Sequence, residues 1–240
     1  MSEGARSRVV VFGDVIDDIV VRPHRGPFVD VNTAASIRQL PGGAAANFSA
    51  WLGSAGVAVD FIGRVGAIDC EYHAGFLAHF GVRAHLTPDA TRPTDTIIVI
   101  VDENDSRTVL TERGANRVLT PNDVPDTLLD GATSVLVPNL AEGRVLIGLV
   151  EPLAVAARLA QSFPLVALTL GAEGTIVAAR GQTVLVPVVR LERADTTGVG
   201  DAFSAGFVAA WLDDATSEAA AHAGARLAAR AIAIVGGRPA

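Results

Sequence analysis

The sequence predicts an α/β fold: a mostly parallel central sheet with helices on both faces, and a small antiparallel piece projecting from it as a lid. Three observations lead there. Short apolar runs closed by turn residues alternate with longer segments of helical spacing, the rhythm of βαβ units. Half of the 240 residues are apolar, enough for a sizeable core. Two segments, about 19–40 and 94–112, break the rhythm, and the second holds two strand-like runs joined by DENDS at 102–106, a hairpin signal. Residues 1–240 read as one domain with these two segments as its lid, and no internal repeat or low-complexity linker divides it.

In chain order, 9–13 (VVVFG) is a buried strand closed by glycine. PGG at 41–43 breaks the chain, and 44–55 follows as a helix. Residues 57–62 form a strand and 70–80 a helix that Gly81 ends. Strands at 96–101 and 108–111 make the hairpin. A helix is predicted over 121–129, a strand over 134–137 and a helix over 152–162. Strands follow at 165–170, 175–179 and 184–188, then helices at 202–212 and 217–234. Phe203, Phe207 and Trp211 recur at i, i+4 and i+8, a core stripe rather than a base-stacking platform.

Composition removes several function classes. The 19 basic residues against 26 acidic ones give a formal charge of −7, the wrong sign for a nucleic-acid surface. Every basic residue is arginine. Without lysine there is neither a Walker A loop nor Schiff-base chemistry. Cys70 stands alone, so neither an intrachain disulfide nor a thiolate metal cluster is expected. The N-terminal stretch lacks the apolar core of a signal peptide, and no run of 18 apolar residues suggests a membrane span; the expected location is cytoplasmic. The five histidines are scattered and read as surface or satisfied core residues.

The stretch DTTGVGDAFSAGF, 195–207, carries the most chemistry. Glycines at 198 and 200 let successive N–H groups converge, and the helix that follows adds unpaired amides and the positive end of its dipole. A phosphate suits that concavity. Asp201 at its mouth either caps the helix or accepts a proton from an attacking hydroxyl; spacing alone leaves both open.

This stretch resembles the C-terminal signature of the ribokinase-like sugar kinases, the phosphofructokinase-B family. A second stretch, GGAAANFSAWLGSAGVAVDFIGRVG at 42–66, resembles the family's N-terminal signature. GDVIDD at 13–18, RGAN at 113–116, NLAE at 139–142 and TLGAEG at 169–174 match between them. The resemblance runs from about Val9 to Pro239.

It implies a three-layer ribokinase-like fold and transfer of the γ-phosphoryl group of ATP, with Mg2+, to a hydroxyl of a sugar or nucleoside. It makes Asp201 the base and the backbone at Gly198, Val199 and Gly200 the anion hole. Asp14, Asp18, Gly42, Gly43 and Asn47 would bind the acceptor. Thr169, Gly171 and Gly174 would form the nucleotide loop. Asn139 and Glu142 would help place Mg2+ and phosphates, Glu142 through water. Asp195 and Thr197 would lie near a monovalent-cation site, with K+ the candidate. Taken without the resemblance, Asp17–Asp18 is a solvated turn, PGGAAAN a turn before a helix, LGAEG a hairpin turn, and Asn139 with Glu142 a helix start. The lid is a candidate surface for pairing two copies into a homodimer.

The sequence departs from the family pattern in three places. Val199 replaces a small residue. Ala67, in GAIDC at 66–70, replaces one of an acidic pair, leaving Asp69. Between the helix expected after GAN and the strand leading to Asn139, one or two βα units are missing. That loss motivates the alternative of a catalytically impaired sugar- or nucleotide-binding paralogue. A dinucleotide oxidoreductase would need G-x-G-x-x-G after the first strand, and GDVIDD supplies none.

Overall fold

The apolar run that opens the chain forms β1 (Arg8–Phe12), and the lid strands β2 (Ile16–Pro23) and β3 (Ala35–Gly42) follow it. The computed structural model describes residues 8–24, 32–104, 106–128, 130, 132, 133, 135, 136, 140–170, 173–179, 181–187, 198–234 and 236–239. Next come α1 (Ala44–Ser54), β4 (Ala58–Gly66), α2 (Cys70–Ala78), β5 (Val82–Asp89) and the hairpin β6 (Asp95–Val101) and β7 (Arg107–Glu112). After 3-10 turns come β8 (Ala132–Thr133), β9 (Val135–Leu136), α3 (Leu140–Ile147) and α4 (Pro152–Leu159). The chain then forms β10 (Leu165–Thr169), β11 (Thr175–Ala179), β12 (Gln182–Val186), α5 (Val199–Leu212) and α6 (Ser217–Ile232).

The central layer is two four-stranded sheets, β5-β4-β1-β8 and β9-β10-β11-β12. Pairing is parallel from β5 to β8 and between β9 and β10, and antiparallel from β10 to β12. The two halves meet at 132–136. There Ala132 and Thr133 pair with Arg8 and Val9 of β1, while Val135 and Leu136 pair with Leu165 and Val166 of β10. One short stretch therefore sits between β1 and β10, and the chain reaches α3 only four residues after Leu136. This is the shortening the sequence predicts.

Strand alternation sends side chains to two cores. Leu165 and Val177 join Phe48, Trp51, Phe61, Leu77 and Phe207 beneath α1, α2, α5 and α6. Val166, Leu168, Ile176 and Ala178 face the opposite way, under Val155, Ala156 and Leu159 of α4. Helices thus cover both faces, as predicted. Phe203 and Trp211 pack against the first core beside the fully buried Phe207.

Over β1, β4 and β5 the second face carries a buried carboxylate instead. Asp60 is buried there and accepts hydrogen bonds from Arg8 (3.2 Å) and Arg83 (2.9 Å), with His85 Nε2 at 2.8 Å. Burial alone would raise the Asp60 carboxyl, but the His85 hydrogen bond and the two arginines hold it below its ordinary value. Arg8 also donates to the carbonyls of Leu128 and Asp130, tying the turn region to this face.

The lid runs β3-β2-β6-β7, with only the β2–β6 pair parallel. Its first strand begins at Ile16, earlier than the predicted segment. Two other expectations need correction. The helix predicted over 121–129 is instead a pair of 3-10 turns, Pro121–Asp123 and Asp126–Leu128. Pro125 lacks an N–H and biases the residue before it away from helical geometry, so the two cannot join. The strand β5 was not foreseen, because VRAHLTPD offers polar residues and a proline rather than an apolar run.

Candidate active site

The turn after β1 places Asp14 at the start of α1. Its carboxylate accepts the N–H groups of Ala45 (2.9 Å) and Ala44 (3.2 Å), orphan donors of the first helical turn. α1 has no cap of its own at Gly43, so Asp14 supplies one from 30 residues away. Gly43 follows with its carbonyl accepting the Asn47 N–H (2.8 Å). Asp18 on β2 is nearly buried and its carboxylate lies against Gly42 on the paired strand β3, where any Cβ would collide with it. Gly42 is therefore required by the protein's own carboxylate.

The second half of the site is the start of α5. Gly198 is its N-cap, with φ 72°, and a side chain there would also strike the backbone of Gly237. Ala202 N–H donates to Gly198 O (2.9 Å), the first intrahelical bond, so the amides of 199–201 come before the helical ladder begins. Among the described residues a Cβ at Gly200 would meet nothing within 4 Å, and Gly200 is exposed. An anion fits such an end: amides converge there, the dipole is positive and no side chain caps it among the described residues. Val199 is half-buried against the first core, so its bulk points away from that opening.

Asp201 stands in the first turn of α5 and accepts a hydrogen bond from Asn47 Nδ2 (3.3 Å). This contact joins the two signature stretches across 154 positions of sequence.

Sequence reasoning missed a third contributor, the C-terminal stretch 236–239. Trp51 Nε1 donates to Gly237 O (2.8 Å) and anchors it. Arg238 follows, 5% exposed. Its Nε donates to Asn47 Oδ1 (3.1 Å) and its Nη2 to Gly42 O (2.9 Å), while its Cζ lies 5.4 Å from the centre of the Phe76 ring. Burial lowers the guanidinium to about 10, against the pull of Asp18, Tyr72, Asp14 and Asp17, so it stays charged at neutral pH. The only sequence signal was a lone arginine after paired glycines. By contrast, Arg92 donates to Asp89 and Arg113 lies 4.0 Å from Asp95.

His73 corrects the reading of the histidines. It is fully buried on α2, and neither ring nitrogen has a hydrogen-bond partner among the described residues, with Asp17 Oδ1 3.5 Å from Nε2.

At the stretch expected to form the nucleotide loop, Thr169 ends β10 and Leu170 N–H donates to Gly174 O (2.8 Å). Gly174 has φ 112°, and a side chain there would strike Val186 O, so β12 as well as any ligand demands glycine here. Glu142 lies in α3, as the plain helix-start reading allows. Asn139, Gly171, Asp195 and Thr197 fall outside the described residues. Among the described residues no cluster of three His, Cys, Asp or Glu side chains could hold a metal.

The chain is 27% identical over 268 residues to a ribokinase from Bacillus subtilis, covering 88% of each chain. Its fold superposes on an adenosine kinase from Sinorhizobium meliloti with a TM-score of 0.74 at 22% identity, covering 98% of this chain and 96% of that one. A ribokinase from Thermotoga maritima gives a TM-score of 0.75 at 17% identity, with 98% and 97% covered. The pfkB family carbohydrate kinase pattern matches in two pieces, 6–130 and 122–239, whose overlap falls where the sequence reads as shortened. Together these matches span nearly the whole chain, which belongs to the pfkB family of carbohydrate kinases, phosphotransferases with an alcohol group as acceptor.

Proposed function

We propose that this chain transfers the γ-phosphoryl group of ATP to a hydroxyl of a small polyhydroxy acceptor, a sugar or the sugar of a nucleoside. The observation that carries the reading is the Asn47–Asp201 hydrogen bond at the uncapped start of α5 (3.3 Å). It sets a carboxylate beside amides suited to a phosphoryl group. In this reading Asp201 takes the proton of the attacking hydroxyl, and the amides around Gly198, Val199 and Gly200 receive the charge on the transferred group. Asp18, Asn47 and Asp14 orient the acceptor's hydroxyls from α1 and the lid; Asp14 does so with whatever acceptor capacity its cap leaves free. The nucleotide lies along the turn after Thr169, with Gly171 and Gly174. Asn139 and Glu142 are the candidates to steady Mg2+ and its waters, and Mg2+ would supply charge neutralisation between the phosphates. Asp195 and Thr197 are the candidate monovalent-cation, K+, positions. The lid's exposed Ile37, Val109 and Leu110 are a candidate surface for a homodimer.

The competing reading, a binding protein that has lost turnover, is favoured by one observation: a single short stretch at 132–136 bridges β1 and β10. An ADP-release assay against a panel of pentoses, hexoses, sugar acids and nucleosides separates the two. Acceptor-dependent ADP release supports the kinase. Saturable acceptor and ATP binding without release supports the binding protein.

A further inference from the structure

We propose that Arg238 is a positioning residue for the base, holding the Asn47 side-chain amide in the one orientation that donates to Asp201. This rests on the reading of Asp201 as base. A guanidinium carries only donors. The atom of Asn47 that meets Arg238 Nε at 3.1 Å must therefore be the carbonyl oxygen, and the NH2 group must face Asp201. Turned over, the amide would point its oxygen at a carboxylate and its NH2 at a cation, which is doubly repulsive.

The lock is itself held. Arg238 Nη2 donates to Gly42 O (2.9 Å), and Trp51 Nε1 to Gly237 O (2.8 Å), one residue before it. Gly237 packs directly on the Asn47 side chain and on Gly198, where a side chain at either glycine would collide. Asn47 is 4% exposed and Arg238 5%, so water competes poorly for any of these bonds. The C-terminal stretch thus fastens α1, the lid strand β3 and the start of α5 at one point. The charges facing Arg238 are Asp14, Asp17 and Asp18, with Tyr72 from α2.

A correctly aimed donor favours the ionised form of Asp201, the form a base needs. Losing it should raise the pH at which Asp201 titrates. The effect must come through Asn47 and not from the arginine's charge across space. Arg238→Lys separates these, since lysine keeps the charge but loses the planar fork.

The test follows the Asp201 carboxyl carbon by 13C NMR across a pH titration in the wild type, Arg238→Lys, Arg238→Met, Asn47→Leu and the double variant Asn47→Leu with Arg238→Lys. The expected result is an upward shift of about one pH unit in each single variant, with no further shift in the double. In steady state, kcat falls on the order of 10- to 100-fold while KM for ATP holds. A wild-type titration in Arg238→Lys, with a shift only in Arg238→Met, overturns the proposal in favour of simple charge. An Asn47→Leu variant that titrates like the wild type overturns it too, and needs no change at Arg238 itself. The titration reads the relay whether or not any acceptor turns over, so an inactive wild type would sink the kinase reading separately.

Discussion

Around Asn47 and Asp201, the proposed acceptor side, distant parts of the chain are joined by side-chain hydrogen bonds: Asp14 to the start of α1, Asn47 to Asp201, and Arg238 to both Asn47 and Gly42. On the proposed nucleotide side, α4 lies on β10 and β11 through Val155, Ala156, Leu159, Val166, Leu168, Ile176 and Ala178, all apolar and buried. Polar networks fix orientation and are sensitive to single atoms, whereas apolar packing fixes position and tolerates small change. The acceptor side should therefore govern turnover, and the nucleotide side should govern stability. The seam between them is the short bridge at 132–136.

The comparison breaks first at Gly198. Gly198→Ala forces a side chain onto φ 72° and into Gly237. Turnover should fall about 100-fold or more, with a loss of about 1–3 kcal/mol in thermal stability. A variant retaining near-normal kcat would mean the α5 start is not the phosphoryl site. On the other side, Leu168→Ala should cost about 2–5 kcal/mol of stability by leaving a cavity under α4. Its kcat per folded molecule should stay within about twofold. Denaturant melts and active-site-normalised rates together read both numbers, and a large fall in kcat would erase the division of labour.

Asp14 sharpens the comparison because it belongs to both columns. Asp14→Ala removes the cap of α1 and should cost about 1 kcal/mol, with a raised KM for the acceptor and little change in KM for ATP. A stability loss with no change in acceptor KM would leave Asp14 a cap alone.

The smallest effect is the acid limb of stability. Asp60, Asp89 and Asp123 all have carboxyls held below their ordinary value of 3.8. Buried Asp60 is drawn down against its own desolvation by His85, Arg83 and Arg8, and Asp89 chiefly by the Thr91 backbone N–H. A depressed folded value means the unfolded chain binds protons first as pH falls. The stability these groups contribute is fully present above about pH 5 and drains as pH drops through about 4 and below. Asp60→Asn should flatten that limb in urea melts between pH 3 and 6. An unchanged limb would remove Asp60 from the account.

Much of this was readable in advance. The glycine spacing at 195–207 and 42–66 marked the two stretches that the Asn47–Asp201 hydrogen bond joins, and period and punctuation located β1, α1, the lid hairpin, α4, β10, β11 and α6. What stayed hidden depends on three-dimensional neighbours. Nothing near Arg238 in the sequence shows that the fold brings it to Asn47. That Asp14 also caps α1 has no local sign, because the helix begins 30 residues later. The turns at 121–128 carry a helical-looking composition that Pro125 vetoes. His73 has no local sign that both of its nitrogens are buried without partners among the described residues.

The central claim is that Asp201 deprotonates the acceptor and contributes little to holding the nucleotide. Asp201→Asn, compared with the wild type in ADP release and in ATP binding by calorimetry, tests it directly. The account predicts turnover lower by orders of magnitude with ATP affinity changed by less than about threefold. Turnover within a few-fold of the wild type would contradict it, as would loss of ATP binding in step with activity.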